Sequence, residues 1–213
     1  MTHIHDVEVL LDGRTLKIAR PTLAEALRAG VAAAQATQRI IVEVKGDGER
    51  IPDDLLADPS DELTSIRVIQ LISADPRELV AGSLRDAAGA LEQLRETQQA
   101  AADAIQSGDM TSAYDQLGSV FSSWQAVREV VERAGAVLNV DVMNIPLSDE
   151  VPPLTLAGAT ADLRVHLRAI KDAMGQEDVS AMGDILAYDL DAAASRWASA
   201  LLALAVALGG KSP

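Results

Sequence analysis

Residues 65–84 read SIRVIQLISADPRELVAGSL, and the chain changes from strand to helix within this stretch. The first part, 65–71, is rich in β-branched side chains, as strands are. Asp75, Pro76 and Glu78 then occupy the N-cap, first and third positions of a helix start. The sequence therefore predicts a small α/β domain over 1–73 and a helical domain over 74–213.

The part before this boundary contains short elements separated by turns. Asp12-Gly13 joins two β-prone runs and indicates a hairpin, because such a turn needs positive φ angles. Thr22 and Glu25 have the spacing of a capping box at the start of a helix. The expected elements are two hairpin strands, a helix, a strand, a short return and a last strand, at 7–11, 15–19, 22–37, 39–44, 50–51 and 65–71.

This element order, over about residues 4–72, resembles the ubiquitin-like β-grasp fold. The resemblance implies a compact scaffold that presents its sheet to partner proteins. Ubiquitin-like modifiers and sulfur carriers also need a free C-terminal Gly-Gly. Here the strand ending at Leu71 leads directly into the next domain, and Gly209-Gly210 is expected to cap a helix. A carrier function is therefore not expected.

The part after the boundary predicts four long helices, at about 76–106, 110–138, 154–174 and 178–208. In the first two, apolar residues recur at alternating spacings of three and four, which is a heptad pattern. The first helix shows it at Val80, Leu84, Ala87, Leu91, Leu94, Gln98, Ala101 and Ile105. In the fourth helix the apolar series runs from Val179 to Leu208.

The connections between these helices predict their packing. The break at Ser107-Gly108 is short, so the first two helices should form an antiparallel hairpin. The segment 139–153 carries three prolines and predicts a loop. The two hairpins could be an internal repeat or could share a pattern by chance. The predicted fold class is α+β, a β-grasp-like domain followed by an antiparallel four-helix bundle.

Composition excludes several classes of function. The chain has 213 residues, no cysteine, 2% aromatic residues and a formal net charge of -14. Disulfides, thiolate nucleophiles and cysteine-ligated metals are excluded. The negative charge disfavours nucleic acid and anionic lipid. The N-terminus lacks a signal-peptide pattern, and the most apolar stretch, 197–208, is too short to span a membrane. A cytoplasmic protein of bacterial type is expected.

The residues that could carry chemistry are few and scattered. His3 and His5 could hold a metal, but an N-terminal tail is the simpler interpretation. His166 stands alone on the third helix, with Asp162 one turn before it. No phosphate-binding, serine-hydrolase or calcium-loop motif occurs. We therefore expect no catalytic site, no metal and no cofactor.

Six residues are candidates for partner binding. Gln98 interrupts an apolar series, so it either sets oligomeric state from a buried position or turns toward water. Trp124 and Trp197 could be core residues or interface anchors. The remaining three share one helical face and could form an acidic patch or a solvated surface: Asp184, Tyr188 and Asp191.

These features together predict a protein that binds other proteins and has no enzymatic activity. The helical part, about 76–208, resembles flagellar export chaperones in helix length, acidity and a Trp near its end. That resemblance implies an adaptor or chaperone that shields another chain. Two alternatives remain: a structural homo-oligomer in which helix faces pair between chains, and an enzyme whose site carries no recognisable motif.

Overall fold

The computed structural model describes residues 7–62 and 64–209. The fold is α+β, and the chain divides into two compact units, one ending at Pro76 and the other beginning at Arg77. Each unit has its own hydrophobic core.

The first unit is a five-stranded mixed sheet with two helices. Its elements are β1 (Glu8–Leu11), β2 (Arg14–Leu16), α1 (Leu23–Gln35), β3 (Ile40–Gly46), β4 (Glu49–Arg50), α2 (Asp53–Ala57) and β5 (Val68–Ala74). The strand order is β2-β1-β5-β3-β4. β1 and β5 are parallel and the other neighbours are antiparallel.

Local sequence explains how these elements begin and turn. Asp12 and Gly13 both have positive φ, as the hairpin signal requires. The backbone N–H of Glu25 donates to Thr22 Oγ1 over 3.1 Å and caps α1. The core below the sheet is formed by Val9, Leu23, Ala26, Val44, Ile51, Ile69 and Leu71.

Three features of this unit differ from expectation. β2 covers Arg14–Leu16 instead of 15–19. β5 covers Val68–Ala74 instead of 65–71, because pairing with β1 starts with Glu8 opposite Val68 and pairing with β3 extends to Ile40 opposite Ala74. The sequence reading also missed α2. Its first turn carries Asp53 and Asp54, whose charges are favourable at a helix N-terminus.

The second unit is helical, and its last helical stretch is interrupted. Its elements are α3 (Pro76–Ser107), α4 (Met110–Leu138), a 3₁₀ turn (Val142–Asn144), α5 (Leu156–Gly175), α6 (Val179–Asp184), a π-helical segment (Ile185–Leu190) and α7 (Asp191–Leu208). The sequence predicted one regular helix over 178–208. A wider π turn separates α6 from α7 instead.

One core contains side chains from α3 to α7. Every residue of the first apolar series is buried in it. The apolar series predicted for the last helix, from Val179 to Leu208, is not buried at its start. Val179, in the first turn of α6, is exposed. Asn139 ends α4 in the left-handed conformation, which Asn tolerates.

Side-chain contacts fix the direction of the helices relative to α7. Arg95 of α3 bonds Asp191, whereas a Cβ on Gly209 would meet Ala81 near the start of α3. The chain direction of α7 is therefore opposite to that of α3. Trp197 Nε1 donates to the backbone oxygen of Ala159, and His166, later in α5, lies near Asp189, which precedes α7. α5 is therefore also antiparallel to α7.

Candidate functional site

Gln98 lies inside the helical core. Its side chain is fully buried, so the interpretation that it turns toward water is wrong. Neither its Nε2 nor its Oε1 has a hydrogen-bond partner among the described residues. A surface contact from this residue to a partner is therefore excluded in this conformation.

Trp124 and Trp197 pack against each other in the same core. Their ring centroids are 5.8 Å apart and the planes meet at 76°, an edge-to-face arrangement. Trp197 Nε1 donates to the backbone oxygen of Ala159 over 3.1 Å. Both rings are buried, so they act as core residues and are not accessible as interface anchors.

Asp184, Tyr188 and Asp191 do not form one acidic patch. Asp184 and Tyr188 are exposed. Asp191 instead accepts two hydrogen bonds from Arg95, over 2.7 and 3.0 Å. These bonds, with one from Arg95 to Glu92, raise the pKa of the Arg95 guanidinium. Because the charge of Asp191 is compensated, it joins α3 to α7 and offers little attraction to a basic partner.

His166 lies on α5 beside a carboxylate of the π-helical segment. Its Nδ1 lies 3.8 Å from Asp189 Oδ2, while Asp162 pairs with Arg196. His3 and His5 lie outside the described residues. Within 7–62 and 64–209, no group of three or more His, Asp or Glu side chains is close enough to share a metal.

The first unit contains a groove between α1 and β3, which we call the α1–β3 groove. Its volume is about 570 Å³, and Arg50 of β4 and Asp53 and Leu56 of α2 also line it. Its floor and walls include Leu27 and Val31 of α1, Ile41 and Val42 of β3, and Leu56 of α2. Val31 and Val42 are 41% and 46% exposed.

The groove runs along the edge of β3. Four consecutive residues, 41–44, line it. Successive side chains of a regular strand point to opposite faces, so lining by all four residues indicates that the groove reaches the edge of the strand. β4 pairs with Lys45 and Gly46 alone, so among the described strands 40–43 have no neighbour on that side. A β-bulge between Ile41 and Glu43 also turns the backbone here.

The charged groups at the rim of the groove are compensated within the unit. Arg28 binds Glu25 and Asp61 over 2.9 and 2.8 Å. The Arg50 guanidinium lies 3.2 Å from Asp53 Oδ1, and Lys45 Nζ lies 3.2 Å from Glu43 Oε2. Among the described residues that line the groove, every charged side chain therefore has an oppositely charged neighbour, and none is left alone to attract a charged ligand. Apolar contact and the free hydrogen-bonding groups of the strand edge are what the groove offers.

Sequence reasoning did not find this groove. Its wall at Leu56 depends on α2, which was not expected. The edge of β3 along the groove is unpaired because β4 is short. The length of β4 depends on strand pairing, which local sequence patterns do not reveal. The available signal was the run Ile40-Ile41-Val42, in which apolar residues do not alternate with polar ones.

The chain was compared with protein families, curated proteins and solved structures. No protein family, no curated protein and no solved structure matches the chain.

One described helical stretch, Val179–Leu208, is long and apolar enough to cross a membrane. Half of its apolar window is buried within the protein, and core helices of soluble proteins pass the same test.

Proposed function

We propose that this protein is a non-enzymatic adaptor or chaperone-like protein, and that the α1–β3 groove binds an extended apolar segment of another protein. The segment would add to the sheet as a strand beside 40–43 of β3. The observation that carries this proposal is the unpaired edge of β3 lying along an apolar groove. Strand addition obtains affinity from main-chain hydrogen bonds and specificity from pockets for alternate side chains.

The chemistry of the groove restricts its occupant. An unpaired strand edge is a template for another chain, and natural proteins usually block it with charge, proline or a bulge. Of these devices β3 has the bulge between Ile41 and Glu43, whereas its exposed residues Ile40 and Val42 are apolar and the rim charges are paired. A short extended segment with apolar side chains at alternate positions and no net charge fits best. Such segments are also those that aggregate when unprotected, which suits a protective role.

We also propose a specific fold for each unit. The first unit would be a β-grasp domain, supported by its order of hairpin, helix, strand, short return and strand. The second would be a four-helix bundle in which α6, the π segment and α7 act as one helix. The support is that α3, α4, α5 and this last stretch share a single core.

Fluorescence anisotropy with labelled peptides tests the binding proposal. The probe is a seven-residue peptide alternating valine with serine, compared with the same peptide carrying N-methyl groups on alternate backbone nitrogens. We expect saturable binding of the first peptide only, because methylation removes the strand hydrogen bonds. Equal binding of both peptides, or of neither, would contradict strand addition.

Substitutions in the protein locate the binding surface. Val42→Glu places a carboxylate beside the strand edge and should weaken peptide binding at least about tenfold. The matched control is Val137→Glu, since Val137 is a similarly exposed valine on α4 in the other unit. If both variants bind the peptide as the unchanged protein does, the groove is not the site.

A further inference from the structure

The last helical stretch, formed by the π-helical segment and α7, carries an exposed face of uncharged residues, which we call the α7 outer face. Tyr188 and Val206 at its ends are 71% and 73% exposed. The face consists of Tyr188, Ala192, Ser195, Ser199, Leu202 and Val206, all exposed. Within α7 the spacing from Ala192 to Val206 is three, four, three and four, so these five residues form a heptad series outside the core, and Tyr188 lies in the π-helical segment just before them. At 1.5 Å per residue the part of the face on α7 is about 21 Å long.

The part of the series from Ala192 to Leu202 is symmetric about its centre, between Ser195 and Ser199. An identical helix laid antiparallel on this face would place Ala192 against Leu202 of the second copy and Ser195 against Ser199. Val206 would then lie toward the π-helical segment of the second copy, which carries Tyr188. A two-fold interface requires this symmetry, because when one residue contacts a second residue of the partner, that second residue also contacts the partner's copy of the first. The small side chains of Ser195 and Ser199 at the centre allow the two helices to approach closely. Farther out, the small Ala192 faces the larger Leu202.

The charge distribution selects the same face. The chain has a formal net charge of -14, so two copies repel each other over most of their surfaces. The sequence contains no Asp or Glu after Asp191. The one charged side chain exposed along described α7 after that residue is Arg196, which is paired with Asp162. The exposed Asp184 and Asp189 lie beside Tyr188 at one end of the face. In an antiparallel pair these ends of the two copies lie apart, so the copies can approach through the α7 outer face with little repulsion.

We propose that the α7 outer face binds a second copy of this chain in an antiparallel, two-fold arrangement. This inference is independent of the α1–β3 groove, which lies in the other unit. It gives the protein two binding surfaces: one for a partner segment and one for itself. A dimer would present two grooves.

Crosslinking of the full chain tests the arrangement, and the absence of cysteine gives a clean background. Ala192→Cys with Leu202→Cys should give a covalent dimer with a short bismaleimide. Ala192→Cys alone should not, because the two copies of residue 192 would be about 15 Å apart along the helix. Equal crosslinking of the single variant would indicate a parallel pair and overturn the proposal.

Charge substitutions test the interface by light scattering over a range of protein concentrations. Ser195→Glu with Ser199→Glu places like charges opposite each other and should raise the dimer dissociation constant at least about tenfold. Ser195→Lys with Ser199→Glu pairs opposite charges in the antiparallel arrangement alone and should preserve the dimer. The control, Ser119→Glu with Ser122→Glu, adds the same charges to exposed positions of α4.

Two results would overturn the proposal. One is a monomer at every concentration, and the other is a dimer that the glutamate pair at 195 and 199 leaves unchanged. Circular dichroism confirms that each variant is folded. Flotation with phosphatidylcholine vesicles distinguishes another occupant of this face: a monomer that binds the vesicles, and loses binding with the same pair, would assign the face to a membrane surface.

Discussion

At the residue scale, the carboxylate of Asp12 links three strands at one end of the sheet. It accepts from the backbone N–H and the hydroxyl of Ser73 at the end of β5, over 2.8 and 2.5 Å. Arg39, just before β3, donates to the Ser73 hydroxyl and carbonyl, each over 2.7 Å. The two Ser73 hydrogen bonds, helped by the charge of Arg39, lower the pKa of Asp12.

This network predicts a pH-dependent contribution to stability. A lowered pKa in the folded state means that the contribution is complete above the ordinary value of 3.8 and is lost as the pH falls through the folded-state pKa. Asp12→Asn tolerates the positive φ and should cost about 1 kcal/mol at neutral pH, allowing for partial exposure. Amide exchange in β5 measures this cost, and the difference from the unchanged protein should shrink below pH 3.8. A difference that does not change with pH would contradict the assignment to the carboxylate.

Gln98 gives the opposite expectation, because its polar atoms reduce stability. Both amide atoms are buried without partners in the described part of the chain. Gln98→Met keeps the shape of the side chain and should raise the free energy of unfolding by about 1–3 kcal/mol. Urea unfolding followed by Trp fluorescence measures the change. Gln99→Met is the control, since Gln99 is exposed on the next position of α3 and should change stability little. Destabilisation by Gln98→Met would show that the amide has a partner.

At the scale of elements, α1 lies close to the sheet because residue 30 is glycine. A Cβ at Gly30 would overlap Cδ1 of Leu71 in β5, and Leu71 is itself buried. Gly89, exposed on α3, has open space around the same position. The two glycines therefore form a matched pair within one protein.

Alanine substitution should have opposite effects at these two positions. Gly30→Ala gains helix propensity but overpacks the core, with a net cost of about 1–2 kcal/mol. Gly89→Ala removes a flexible residue from a helix and should stabilise it by about 0.5–1 kcal/mol. Amide exchange in β5 reports the first change and urea unfolding the second. Stabilisation by Gly30→Ala would show that α1 can move away from Leu71.

The same scale shows what the sequence could predict. The α+β class and the long helices followed from local signals: the heptad series of α3, the cap at Thr22 and the turn at Asp12-Gly13. The register of β5 did not, since it is set by pairing with a strand distant in sequence. The π segment was also missed, because its apolar residues fit a regular helical period. Burial of Gln98 depends on all the surrounding helices, and one helix pattern does not reveal it.

At the scale of the whole molecule, aromatic residues are confined to one unit. The chain has two Trp, two Tyr and one Phe, all of them after residue 76. Trp fluorescence therefore reports on the second unit, whereas far-ultraviolet circular dichroism reports on both. The two units can be followed separately in one sample without a label.

This separation supports a final prediction, that the helical unit folds alone. All residues of its core come from the second unit, and the core of the first unit ends at Leu71. A fragment of residues 75–213 keeps the start of α3 and is long enough to bury its own core. It should be highly helical and unfold cooperatively, with the same urea midpoint by Trp fluorescence as the full chain. The control is the full chain carrying Gly30→Ala, which should leave this midpoint unchanged, because the substitution acts on the other core. A gradual transition in the fragment, or a midpoint well below that of the full chain, would show that the first unit contributes to the stability of the second.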